Sequence, residues 1–344
     1  METELNQSKK ISAVGIQTRF SPHLVALISM WLFTCGVMVW MLVNGVRDNG
    51  GYRSERMVLQ VVYVAVMLWY LSRTDPLMAR LSEVQPILLR GSAIGRWIPV
   101  ILIALLFYDV LDGNDNLMLI MMIASIWILV AWRKEIRLKI VALGIGLALI
   151  ALLTGLPFLL NNFVSSQSFT ILLVFALPMF ISGGILLNRT ELGGSQLLSG
   201  KYLEAVKSYL VGCLLFIPLG LFNLADGSFR VYWVTKSWMP ITMPWFSGIV
   251  EEIWFRLFLV SLIYFLLRPA FRKIPALAVV LAILFSAITF GMGHNGSLFE
   301  RVVNVGLLYG LPLATIFSKR DYEHAIGGHY MINMIPTIMA FLET

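Results

Sequence analysis

Charge is what this sequence has least of. Of its 344 residues, 13% are Asp, Glu, Lys or Arg, while 58% are hydrophobic. A soluble domain carries about a quarter charged residues and roughly 45–50% apolar ones. So few charges cannot coat a globule of this size, which excludes a soluble enzyme and a disordered chain. Cysteine is almost missing. Cys35 and Cys213 both lie inside apolar runs, where they read as small core residues and not as a disulfide or a zinc site. The apolar runs are continuous rather than alternating, which excludes a transmembrane β-barrel. What is left is an all-α fold, a polytopic transmembrane helical bundle whose partner on most of its surface is the lipid bilayer.

The first twenty residues are polar and lack the apolar core of a secretory signal. About eleven apolar segments follow, near 24–43, 57–72, 97–110, 117–132, 140–160, 169–187, 209–224, 244–267, 276–293, 302–317 and 323–341. The stretch 76–96, broken by Pro86, reads as an interfacial helix rather than a span. The net charge of +7 does not point to nucleic acid, because basic residues collect in the cytoplasmic loops of membrane proteins. With the N-terminus inside, 19 of the 26 lysines and arginines fall on the inner side and six on the outer, with Arg256 inside a span. That ratio favours a cytoplasmic N-terminus. The worst fit is the first outer loop, where Arg47, Arg53 and Arg56 are counted.

The chain divides by chemistry. Residues 1–208 form an N-terminal transmembrane region of about six spans with few ionisable groups and no assigned role. Residues 209–344 carry Glu251, Glu252, Arg256, His294, His324, His329 and Asn333. An ionisable side chain at mid-bilayer costs roughly 2.5–3.5 kcal/mol even on the lenient insertion scale, so each is a functional candidate by default. Glu252 and Arg256 are four residues apart, stack on one helical face and form an ion pair. Glu251 is turned about 100° away on a regular helix, so it escapes that neutralisation and is left for chemistry. A carboxyl in a dry site suits a general base near neutral pH. His329 and Asn333 are also four apart and share one face. His294 ends a span behind Gly291 and Gly293. Gly306 and Gly310, in GxxxG spacing, allow their short helix to pack closely on its neighbours. His324 and His23 lie nearer the interface and read as structural. If the helices bring them together, one carboxylate, two imidazoles and a carboxamide make a hydrolase kit: a base for water, imidazoles for a metal or a proton, and an amide for an oxyanion.

Those residues form three patterns in order: Glu251-Glu252-x-x-x-Arg256, Phe290-x-x-x-His294 and His329-x-x-x-Asn333, each in an apolar helix. The set resembles the CPBP (Abi) family of intramembrane endopeptidases, which includes the CAAX prenyl proteases. The resemblance spans roughly residues 240–340. It implies hydrolysis of a peptide bond in a membrane-associated or hydrophobic peptide or protein substrate, within a prokaryotic cell membrane. Glu251 would activate water, His294 and His329 would position it or bind a metal, Asn333 would support the oxyanion, and Glu252 with Arg256 would shape the site. Zinc stays open: there is no HExxH helix, yet two histidines and a glutamate would make a three-ligand site with one free position. Two other functions compete. One is a non-catalytic relative acting in immunity or regulation through partner binding, which would not need both histidines and the base. The other is a transporter, suggested by Pro178, Pro218 and Pro312 but lacking a visible inverted repeat.

Overall fold

The computed structural model describes residues 21–44, 53–74, 117–160, 166–225, 239–294 and 296–342, and everything said of structure concerns these. The expected span at 97–110 and the interfacial helix at 76–96 lie outside them. The described residues are helical and include no strand. In chain order they are α1 (Pro22–Val43), α2 (Arg53–Arg73), α3 (Leu117–Ala131), a 3-10 turn (Arg133–Glu135), α4 (Leu138–Leu160), α5 (Ser166–Thr190), the short α6 (Gln196–Ser199) and α7 (Tyr202–Ala225). Then come α8 (Met239–Glu251), a π-helical stretch (Glu252–Val260), α9 (Ser261–Leu267), α10 (Pro275–Met292), a second π-helical stretch (Glu300–Gly310), α11 (Leu311–Lys319) and α12 (Tyr322–Leu342). Seven helices are long and apolar enough to cross a bilayer, and two shorter apolar ones accompany them. The protein is a polytopic helical bundle integral to a membrane.

In hydrocarbon every backbone carbonyl needs a partner, and a proline inside a helix takes one away from the residue four places earlier. The bundle repairs these losses from neighbouring helices. Pro218 in α7 frees the carbonyl of Leu214, which accepts the indole N–H of Trp31 from α1 at 2.8 Å. The next carbonyl, Leu215, accepts the Tyr63 hydroxyl of α2 at 2.5 Å. Pro336 in α12 frees the carbonyl of Ile332, which accepts the Asn223 amide of α7 at 3.0 Å. Two kinks thus tie α1 and α2 to α7, and α7 to α12.

Small residues bring α7 and α12 together. A Cβ on Gly327 would sit 2.1 Å from the carbonyl oxygen of Tyr209, and one on Gly212 would sit 2.2 Å from that of His324. The GxxxG pair acts similarly against α10: a Cβ on Gly306 would lie 3.0 Å, and one on Gly310 3.1 Å, from the carbonyl oxygen of Ala287.

At the end of the bundle where α12 begins, polar side chains hold the turns. Glu323 accepts from Ser195 Oγ at 2.6 Å and from the backbone N–H groups of Gln196 and Leu197 at 3.0 and 2.9 Å, neutralising the start of α6. Asp321 accepts from Ser208 Oγ at 2.9 Å and meets His324 Nδ1 at 2.7 Å. His23 stands edge-on to Trp69, with ring centres 4.5 Å apart. One expectation changes. Arg56, counted above as an outer-loop charge, is 7% exposed within α2 and donates to the carbonyl of Ala225 at the end of α7. It answers the unpaired carbonyls of a helix C-terminus and does not act as a loop charge.

Candidate active site

Two π-helical stretches build the centre. A hydrogen bond from i to i+5 puts more residues into each turn than an α-helix holds. Glu252, at the head of the first stretch, is the carboxylate that pairs with Arg256, and no ion pair joins Arg256 to Glu251 among the described residues. The same widening changes the backbone bonding, and the Phe255 carbonyl accepts the Ser286 hydroxyl of α10 at 2.7 Å.

The Glu252–Arg256 pair is present: Oε1 and Nη1 are 3.3 Å apart and both side chains are fully buried. Arg256 also lies over the Phe290 ring, 4.2 Å from its centre, and its Nη2 reaches the carbonyl of Gly310 at 3.5 Å. An uncompensated guanidinium there would be prohibitive, so the carboxylate and the ring face are what keep it in place. His329, 4% exposed, approaches from α12. Its Nδ1 is 2.7 Å from Glu252 Oε1, and its Nε2 is 3.7 Å from Glu251 Oε2. Paired with Arg256, Glu252 accepts from His329 Nδ1, and Nε2 is the ring nitrogen that faces Glu251. Glu251 differs from its neighbour: its side chain is 27% exposed, and its Oε2 accepts no hydrogen bond from the described residues.

Asn333, one turn further along α12, donates from Nδ2 to Ser247 Oγ at 2.9 Å. Ser247 is four residues before Glu251 on α8. The helices run antiparallel, with Ser247 against Asn333 as one rung and Glu251 against His329 as the next. Gly248 lies on the same side, and a Cβ there would meet the Tyr330 nitrogen at 3.6 Å, an ordinary van der Waals contact.

His294 stands apart. It is exposed at the end of α10, with Nδ1 on the Phe290 carbonyl of its own helix at 2.8 Å. The Phe290 ring separates it from His329, with centres 4.7 Å and 5.7 Å from the two imidazoles. The expected convergence thus brings together Glu251, Glu252, Arg256 and His329, adds Asn333 through Ser247, and leaves His294 one ring away.

This also decides the fit to zinc. A three-ligand site needs donors aimed at one point about 2 Å from each. Glu252 is on the opposite ring nitrogen of His329 from Glu251, and Phe290 occupies the space between the histidines. Among the described residues no three His, Cys, Asp or Glu side chains are grouped to hold a metal ion. The arrangement does not fit zinc on His294 and His329.

Residues 233–335 match the family described as type II CAAX prenyl endopeptidase Rce1-like. This part of the chain is related to the CAAX proteases. All seven residues of the three patterns lie within it, on α8, the first π-helical stretch, α10 and the residues just past its end, and α12. No curated protein and no solved structure matches the chain. The relationship is to a membrane protease family, and the apolar helices agree with it.

Two residues escaped the sequence reading. Phe290 supports Arg256 and parts the histidines; its place in the Phe290-x-x-x-His294 pattern was visible, its contacts were not. Ser247 could have been found as the residue one helical turn before Glu251.

Proposed function

We propose that the protein is a glutamate-dependent intramembrane endopeptidase acting on a membrane-associated or hydrophobic peptide. The observation that carries this reading is His329 set between two carboxylates, with Nε2 3.7 Å from Glu251 Oε2. That distance exceeds a direct hydrogen bond, and a water entering beside the part-exposed Glu251 side chain would bridge the two groups. Such a water donates one proton to the Glu251 carboxylate and the other to bare Nε2, leaving a lone pair free for a peptide carbonyl carbon. As the C–O bond forms, Glu251 takes the proton and negative charge moves to the carbonyl oxygen. The Asn333 amide, with one N–H on Ser247, has a second to offer that oxygen. Collapse breaks the C–N bond, and the proton held by Glu251 goes to the departing amine. Glu252 and Arg256 hold His329 in the needed tautomer. His294 serves the entrance, where its exposed ring meets the incoming chain.

On this reading 209–344 is the catalytic unit and 1–208 its support, with the N-terminus on the cytoplasmic side of a prokaryotic cell membrane. The test is a comparison of membrane peptides from cells carrying wild type and Glu251→Gln, which keeps shape and removes the base. Peptides cut in wild type should remain uncut in the variant. Identical peptide profiles, with both proteins equally abundant, would overturn the reading.

A further inference from the structure

We infer that Ser247 is a positioning residue that fixes the Asn333 carboxamide for oxyanion support. The inference rests on the proteolytic reading above and deepens it. Asn333 occupies a half-buried place where its amide can be turned by half a rotation, presenting either oxygen or nitrogen to the reacting carbonyl. Only the nitrogen end carries protons, so support for an oxyanion depends on which end faces it. The structure contains a device that settles this choice. Ser247 has one proton, and its hydroxyl lies 3.3 Å from the Pro244 carbonyl on its own helix, the usual back-bond of a helical serine. With its proton given to Pro244, the Ser247 oxygen can only accept. It accepts from Asn333 Nδ2 at 2.9 Å. One N–H of the amide is thereby fixed on α8, and the other N–H of the same nitrogen is held in the plane this bond defines.

The placement in the fold supports the same conclusion. Ser247 and Glu251 are one turn apart on α8, and Asn333 and His329 are one turn apart on α12. The hydroxyl that orients the oxyanion donor is therefore carried by the same helix as the base. Rocking of α8 against α12 carries the Ser247 hydroxyl and the base together, and the amide bonded to that hydroxyl follows the base as far as the Asn333 side chain reaches. Ser247 touches neither substrate nor water in this scheme and acts only through Asn333.

The experiment uses full-length protein in detergent and, as probe, a synthetic peptide spanning a junction whose cleavage in membranes depends on Glu251. Ser247→Ala should lower kcat by about ten- to a hundredfold, less than the full loss of an oxyanion donor, with KM within about twofold. Ser247→Thr, which keeps the hydroxyl, should restore most of the rate. In an Asn333→Ala background, Ser247→Ala should cost less than about twofold more, since a residue acting through Asn333 has nothing left to act on. Ser247→Cys keeps the volume with a weak acceptor and serves if the alanine variant does not fold. Wild-type kcat in Ser247→Ala, failure of threonine to rescue, or a full multiplicative loss on top of Asn333→Ala would each overturn the inference while the proteolytic reading stood. If no junction depends on Glu251, the proteolytic reading fails first and this inference falls with it.

Discussion

His329 and Glu252 are joined through Nδ1 and Oε1 at 2.7 Å, inside a pocket that leaves one of them 4% and the other 0% exposed. Adjacent in sequence, Glu251 and Glu252 therefore hold different stations. One is buried, charge-paired and committed to holding an imidazole. The other is 27% exposed and faces the second nitrogen of that ring. A pair of carboxylates with separate environments is how a single site assigns separate roles to chemically identical groups.

The two glutamates should respond differently to the same substitution. Glu252→Gln removes the charge that balances fully buried Arg256. Breaking one side of a buried ion pair costs roughly 3–5 kcal/mol, so the variant should melt well below wild type in detergent. Glu251→Gln leaves that pair intact and should melt within a degree or two of wild type while losing cleavage. Equal melting of the two variants would contradict the division of roles.

The proline repairs make a second prediction. Trp31 donates to the Leu214 carbonyl because Pro218 leaves that carbonyl without its helical partner. Interhelical hydrogen bonds in membranes average about 0.6 kcal/mol, so Trp31→Phe should destabilise by about that amount beyond its lost contact area. With Pro218→Ala in place, the α7 backbone supplies its own N–H and the indole bond becomes dispensable. A double-mutant cycle read by unfolding in mixed micelles should show coupling between these two residues, although one lies in α1 and the other in α7. Strict additivity would mean that the indole bond is unrelated to the kink.

Much of this was legible in the sequence, for identifiable reasons. Continuous apolar runs dictate membrane helices whatever their packing, and the four-residue spacings of Glu252 with Arg256 and of His329 with Asn333 survive because those pairs sit on one face. What was not legible depends on departures from the regular helix or on distant neighbours. The π-helical turn that begins at Glu252 is such a departure, and no period in the sequence announces it. The separation of His294 from His329 is decided by the Phe290 ring, whose orientation follows from Arg256 lying over it. Arg56 reads as a loop charge because its partner, the Ala225 carbonyl, comes from a helix far along the chain.

The contact between α10 and the second π-helical stretch gives a third prediction. A Cβ on Gly291 would lie 2.0 Å from the carbonyl oxygen of Arg301 and 2.8 Å from the Gly306 nitrogen. Neither backbone atom can turn aside as a side chain would, so Gly291→Ala must push the two segments apart. Overpacking of this kind costs about 1–3 kcal/mol. It also shifts Phe290, the neighbouring residue, and with it the support of Arg256. The variant should lose thermal stability and cleavage together, whereas Gly293→Ala, whose Cβ meets nothing nearer than 3.5 Å, should keep both. A fully stable Gly291→Ala protein would show that the helices are not packed this closely.

The turn between α11 and α12 supplies a pH prediction. Burial by itself raises the Asp321 carboxyl, but the His324 ring and backbone N–H, with the Ser208 hydroxyl, outweigh it and hold Asp321 below the ordinary aspartate value. A carboxylate lowered on folding contributes stability above its unfolded value, and that contribution is lost as pH falls through the folded one. The melting midpoint of wild type should therefore decline on acidification below the usual carboxylate range. Asp321→Asn should start lower at neutral pH and decline less over the same interval, so that the two curves approach each other in acid. Because this turn launches α12, the same variant should reduce cleavage at neutral pH by loosening His329 and Asn333. Melting curves for wild type and Asp321→Asn that stay parallel from neutral to acid pH would show that Asp321 carries no such charge-dependent stability.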